Sequence, residues 1–158
     1  MAQTTGAIAE SIYKIEVSLN GSSWTDISGQ ANTVEPSGGD QQTGKQFTAN
    51  GNVPIVTNSN KTDAVTVKCN IVYTETAGEG FMLVYAQYIS TSKVIYLRYS
   101  PAGGTTGQKR YVCANAANTA IAVPIIMCLP PKVDAATGDP AMVEFSVLTP
   151  QLYQEVVP

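Results

Sequence analysis

Residues 64–99 read AVTVKCNIVYTETAGEGFMLVYAQYISTSKVIYLRY, and three distinct elements follow one another there. From Ala64 to Tyr73 apolar and polar residues alternate. Val65, Val67, Cys69, Ile71 and Tyr73 point one way, and Thr66, Lys68 and Asn70 the other. That period of two marks a half-buried strand. Phe81, Val84, Tyr85 and Tyr88 then fall at i, i+3, i+4 and i+7, with Met82 and Ile89 beside them. This is the apolar stripe of one amphipathic helix. Glu79 stands near its start, where a negative charge suits the dipole. After Ser90-Thr91-Ser92 the alternation returns, with Ile95, Leu97 and Tyr99 on one face and Val94 and Tyr96 on the other. The stretch predicts strand, helix, strand. No other segment has a convincing helical period, so the helix covers a face or an edge of an otherwise β domain.

Upstream, Ile12 to Leu19 alternates too, with Tyr13, Ile15, Val17 and Leu19 on one face and Lys14, Glu16 and Ser18 on the other. Asn20-Gly21 follows, the dipeptide favoured in two-residue hairpin turns, and Trp24 to Ile27 returns as a second strand. From about Ser28 to Asp63 the chain becomes a long polar loop. Val34, Phe47, Val53, Ile55 and Val56 supply thin apolar cover, and short strands are expected at Asn32–Glu35 and Gln46–Ala49, with turns at Gly38-Gly39 and Asn50-Gly51. So long a polar excursion is usually functional or disordered, and its apolar beads suggest that it packs on something. Downstream, Pro101–Gly107 is a loop, and Lys109–Leu129 is strand-like with a break near Asn115–Asn118. Pro130-Pro131 stops it, Met142–Leu148 is a last strand, and Pro150–Pro158 an extended arm. The expectation is one mainly β domain, a β-sandwich or small barrel with one flanking helix, over residues 1–158, with terminal arms at 1–11 and 150–158.

Composition narrows the function. At 158 residues the chain is long enough for one proper core. Charged residues make up only 13%, against about 25% in ordinary globular chains. Two readings follow: a surface largely covered by other protein, or a neutral surface of Ser, Thr, Asn and Gln. A net charge of −3 gives no global pull towards nucleic acid or anionic lipid. There is no apolar run long enough for a membrane span. Met1-Ala2-Gln3-Thr4-Thr5 lacks the features of a signal peptide, so synthesis in a cytoplasm is expected. Cys69, Cys113 and Cys128 show no paired spacing and read as reduced, buried thiols.

The chain contains no histidine, which removes the commonest general base, the commonest metal ligand and any Ser–His or Cys–His pair. Gly39-x-x-x-x-Gly44-Lys45 resembles a phosphate-binding loop, but Gln46 stands where Ser or Thr should hold magnesium, and no helix opens after it. Glu75 and Glu79 are the one close acidic pair flanking a turn, and Asp134 to Asp139 is too loose for a metal. Lys109-Arg110 and Arg98 form a small basic spot. Trp24 could stack on a sugar, but a tryptophan flanking a sheet is more often core. No catalytic, metal-binding or cofactor-binding set emerges.

The hairpin Ile15–Gly29, with Asn20-Gly21-Ser22-Ser23-Trp24 at its turn, resembles the start of the phage tail tube (major tail) proteins of long-tailed phages. The likeness continues through Val53-Pro54-Ile55-Val56-Thr57 and Val65-Thr66-Val67 to Tyr73-Thr74-Glu75 and the single helix, covering about Ser11 to Tyr99. It implies a β-sandwich with a flanking helix, six copies in a ring, and rings stacked into a hollow tube in the virion tail. Strands of all six subunits would close a continuous barrel around the lumen, and the long loop would reach a neighbouring ring. Partners would be further copies of the chain, together with tape-measure, tail-tip and terminator proteins. DNA would pass through without specific binding. On this likeness Glu16, Asp26 and Glu144 are the lumen-facing candidates, and Val34, Phe47, Val53, Ile55 and Val56 the inter-ring contact candidates. A tail terminator or connector of the same fold, a carbohydrate- or surface-binding module of a fibre or baseplate, and an enzyme on a β scaffold are the competing readings.

Overall fold

Ile15 and Val17 alternate with Lys14 and Glu16, as Ile95 and Leu97 alternate with Tyr96 and Arg98. In the computed structural model, which describes residues 3–158, these segments lie side by side as antiparallel strands. In chain order the elements are a 3-10 turn at Glu10–Ile12, β1 (Lys14–Ser18), β2 (Thr25–Asp26), β3 (Ala31–Gly38), β4 (Gln41–Gln46), β5 (Ile55–Thr62), β6 (Val65–Val72), α1 (Gly80–Tyr88), β7 (Val94–Ser100), β8 (Lys109–Ala114), β9 (Val123–Cys128), β10 (Met142–Thr149) and β11 (Gln151–Val156). Met1 and Ala2, the start of the expected arm 1–11, lie outside the described residues.

One layer runs β2-β1-β7-β8-β11 and the other β3-β6-β10-β9, with every pairing antiparallel. The layers join where Val94 and Ile95 pair with Pro124 and Val123, so the sandwich is closed along one side like a barrel. Ile15, Val17 and Leu97 meet Val67, Cys69, Phe145 and Val147 between the layers, each at most 1% exposed. The predicted sandwich with one flanking helix is the observed architecture.

The helix closes the core through the expected stripe. Phe81 and Val84 are buried, and the Phe81 ring stands 4.8 Å from Tyr73 and 5.2 Å from Tyr85. Gly80 lets the helix start approach the turn after β2, because a Cβ there would lie 2.7 Å from Gln30 Oε1 and 3.3 Å from Ile27. Glu79 occupies the N-cap position but its side chain caps nothing. The acceptor is Gln30 Oε1, which takes the Gly80 N–H at 2.6 Å. A residue distant in sequence thus satisfies one of the orphan donors of the helix.

Local departures from the sequence reading have local causes. The Asn20-Gly21 connection is not a two-residue turn, since the pairing Val17↔Thr25 leaves a wide loop. Asn20 Oδ1 accepts the N–H groups of Ser22 and Ser23 at 2.9 and 2.8 Å, and Ser18 Oγ accepts that of Gly21 at 2.9 Å. These side-chain acceptors compete with the tight turn for the backbone. Leu19, expected on the core face, is 54% exposed in that loop. Trp24 lies outside the core, against Arg98. The arm after Pro150 is extended as expected, but Met142–Leu148 is not the last strand, because the arm itself pairs with β8 as β11.

Cys69, Cys113 and Cys128 are free and buried. Burial pushes all three thiols up, Cys113 to about 12 and Cys128 to about 11, so almost no thiolate forms near neutral pH. The native protein is expected to resist a thiol-specific reagent under those conditions and to react at all three sites once unfolded. Rapid native labelling would contradict this burial.

Candidate assembly surfaces

The polar excursion is a hairpin. β3 pairs with β6 as far as Gly38↔Val65, and β4 continues with β5 from Gln41↔Thr62 to Gln46↔Ile55. Gly38-Gly39 is therefore a bend within one ribbon and not a chain-reversing turn. Both glycines take positive φ, 84° and 73°, and a Cβ on Gly38 would meet Ala64 O at 2.6 Å. Across the bend, Gly39 N–H donates to Ala64 O at 3.3 Å and Asp63 N–H to Asp40 O at 3.0 Å. Every residue of β4 and β5 is exposed. At a strand rise of about 3.3 Å per residue the ribbon projects roughly 20 Å beyond the bend. Phe47, Val53, Ile55 and Val56, which are 57%, 78%, 58% and 67% exposed, crowd its outer end. Val34 is separated from them; it pairs opposite Cys69 and packs against the core. The strand Gln46–Ala49 expected from sequence is displaced to Gln41–Gln46, because neither face of β4 meets a core that would impose alternation.

Glu16 and Asp26 face each other across β1 and β2 on the outer face of the first layer. Glu16 is only 8% exposed. Arg98 Nε donates to its Oε2 at 2.7 Å, and Lys14 Nζ lies 3.0 Å from its Oε1 and 4.0 Å from Asp26. The Trp24 ring covers the guanidinium at 3.9 Å and meets Tyr96 edge-on at 6.4 Å. Burial pushes the Glu16 carboxyl up, but the hydrogen bonds and charges of Arg98 and Lys14 outweigh it and hold it below the usual carboxylate range. Arg110 and Glu155 form a second pair on this face, 2.5 Å apart. Its charges are thus largely paired within the chain.

Glu144 sits elsewhere. It alternates with the buried Val143 and Phe145, so it lies on the outer face of the second layer, beside Lys68 at 3.7 Å. Glu35 pairs opposite Lys68, and Thr33, Thr66 and Asn70 complete a polar, partly exposed surface. The three candidate acids therefore occupy the outer faces of two different layers.

Among the described residues no group of His, Cys, Asp and Glu is arranged to hold a metal ion. Gly44 and Lys45 lie within β4, away from any helix start, where phosphate-binding geometry is lacking. Tyr13, Tyr73, Tyr85, Tyr88 and Tyr99 pack against the core and form no exposed aromatic platform. No helix among the described residues is long and apolar enough to cross a membrane.

No protein-family model matches the sequence, and no curated protein matches it. The fold is shared with solved structures at low identity. A chain of the sheath–tube complex of the extracellular contractile injection system PVC, in its extended state, superposes with a TM-score of 0.64 at 13% identity, over 97% of this chain and 94% of that one. A chain from the sheath/tube terminator of the same system gives 0.66 at 14%, over 98% and 100%. A chain from the tail of an empty GTA particle, refined helically with C6 symmetry, gives 0.55 at 10%, over 99% and 100%. What these chains share with this one is the fold.

Proposed function

We propose that the chain is a structural subunit of a phage tail or tail-like tube, assembling as stacked, six-membered rings around a channel. One observation carries the reading: an otherwise closed sandwich extends a wholly exposed β-ribbon whose end is apolar. Phe47, Val53, Ile55 and Val56 gain nothing in solvent, and each contributes roughly 1.5–3 kcal/mol if fully buried against a neighbour. The C6 symmetry of one structural neighbour supports the ring number. In this reading the protein works in the virion tail and meets tape-measure, tail-tip and terminator proteins.

The second layer is the better candidate for the channel wall. Where β3 and β6 form it, its outer face carries small hydroxyl and amide side chains with Glu35, Lys68 and Glu144, and Leu148 and Ile126 stand towards its β10–β9 side, whereas the Glu16 face is already covered by Trp24 and Arg98. A neutral to weakly acidic wall lets DNA slide, because duplex DNA grips a surface by exchanging counterions for cations. Glu144→Lys should make assembled tubes retain DNA in a salt-dependent way and slow its release. Tubes of this variant that ignore DNA at low salt would move the channel to another face.

A terminator is the second reading, favoured by the equally good superposition on a terminator chain. Sedimentation of the purified protein over a range of concentrations separates the two. A tube subunit grows past single rings into long polymers, and a terminator stops at one ring.

A further inference from the structure

A groove of about 440 Å³ opens at one side of the sandwich, beneath the N-terminal segment. Its apolar walls come from Ile8, Ala9, Tyr13, Val34, Tyr99 and Pro101. Ile8 is 56% exposed there, whereas Tyr13, Val34 and Tyr99 also pack against the core. Glu10 stands on the rim and forms no ion pair among the described residues. An unfilled apolar groove and an unpartnered apolar ribbon end thus occur in one molecule.

We infer that this groove receives the ribbon end of a second copy, Phe47 and Val53 seating between Ile8, Val34 and Tyr99 while Lys45 meets Glu10. The inference rests on the tube reading and names the receiving surface for the ribbon. Three observations support the pairing. First, the two surfaces are complementary: the ribbon end offers Phe47, Val53, Ile55 and Val56 beside the cation Lys45, which pairs opposite Val56, and the groove offers apolar walls beside an acid. Second, the ribbon cannot fill its own groove. The groove is lined by the early half of β3, at Asn32 to Glu35, and the ribbon leaves from the far end of that strand at Gly38. Third, donor and acceptor therefore sit at opposite ends of one strand. A contact between unlike surfaces of identical subunits closes into a ring where its rotation allows and otherwise propagates as an open stack; a contact running from one end of β3 to the other suits the stack.

The test uses the full chain. Each of Ile8→Cys and Phe47→Cys adds one exposed thiol to a protein whose native cysteines are buried. The two variants are mixed, allowed to assemble, and treated with a short bifunctional maleimide. The expected result is a covalent dimer linked between positions 8 and 47, found in the polymer and absent from dilute subunits. Ala9→Cys with Val53→Cys gives a second pair should either first variant fold poorly. In parallel, Glu10→Lys should raise the concentration at which polymers form, and adding Lys45→Glu in the same chain should lower it again. Normal polymers whose position 47 links only to other sites overturn this inference and leave the tube reading standing. An unmodified chain that never polymerises overturns both.

Discussion

Replacing Asp40–Asp63 by a short Gly-Ser link is expected to yield a chain that folds, unfolds cooperatively and, on the proposed tube role, forms no tubes. The reason lies in the division of labour along the hairpin. The core is built from β1, β6, β7, β9 and β10 with α1, together with Ile27 and with Cys113 of β8, and it draws no buried side chain from β4 or β5. The pairing of β3 with β6 ends at Gly38↔Val65, so a link there rejoins strands already adjacent. Shortening a flexible connection changes its closure entropy by less than about 1 kcal/mol per doubling of length. Stability should therefore move little in a urea titration, while the polymer signal in sedimentation disappears. Polymerisation at the normal concentration would make the ribbon dispensable. Failure to fold would make it part of the core.

Arg98→Ala should be among the most destabilising substitutions outside the apolar core. Glu16 would stay buried and lose the shorter of its two charged partners. A hydrogen bond to a charged group contributes about 1.5–3 kcal/mol, and loss of the contact with Trp24 adds roughly 0.5–1 kcal/mol. Urea midpoints report the sum. The carboxyl is held below its unfolded value, so its stabilising contribution is complete above the ordinary carboxylate range. It fades as pH falls through the lower folded value. The difference between the unmodified chain and Arg98→Ala should accordingly shrink in acid. Glu16→Gln added to Arg98→Ala should recover part of the loss, since the buried charge is then gone. A cost below about 0.5 kcal/mol, as for an exposed pair, would show that Lys14 alone satisfies Glu16.

What the sequence reveals follows from where the core is. Val65–Tyr73 and Val94–Tyr99 press one face on buried neighbours, so alternation is written into them and both are legible as strands. Phe81, Val84, Tyr85 and Tyr88 reveal the helix for the same reason. β4 and β5 touch no core, and Gln41–Gln46 has no period to read. Their pairing comes from a continuous ladder across Gly38-Gly39, a long-range feature. The wide loop after Ser18 was hidden by Asn20-Gly21, whose turn preference lost to the acceptors Ser18 Oγ and Asn20 Oδ1. For the candidate surfaces, the apolar ribbon end was legible as Phe47, Val53, Ile55 and Val56 in a polar stretch. The separation of Glu16 and Asp26 from Glu144 onto different layers was not, because the facing of a strand depends on which sheet it joins. Nor was the groove beneath Ile8, which arises only when the N-terminal segment lies across β3.

Electron cryomicroscopy of the concentrated, purified protein addresses the proposed role at its root. The expected image is a hollow tube of stacked rings, six subunits to a ring, with Thr66, Lys68 and Glu144 facing the channel and the ribbon crossing into the next ring. Subunits that remain monomeric at every concentration, or rings whose channel is lined by the Trp24–Arg98 face, would contradict it.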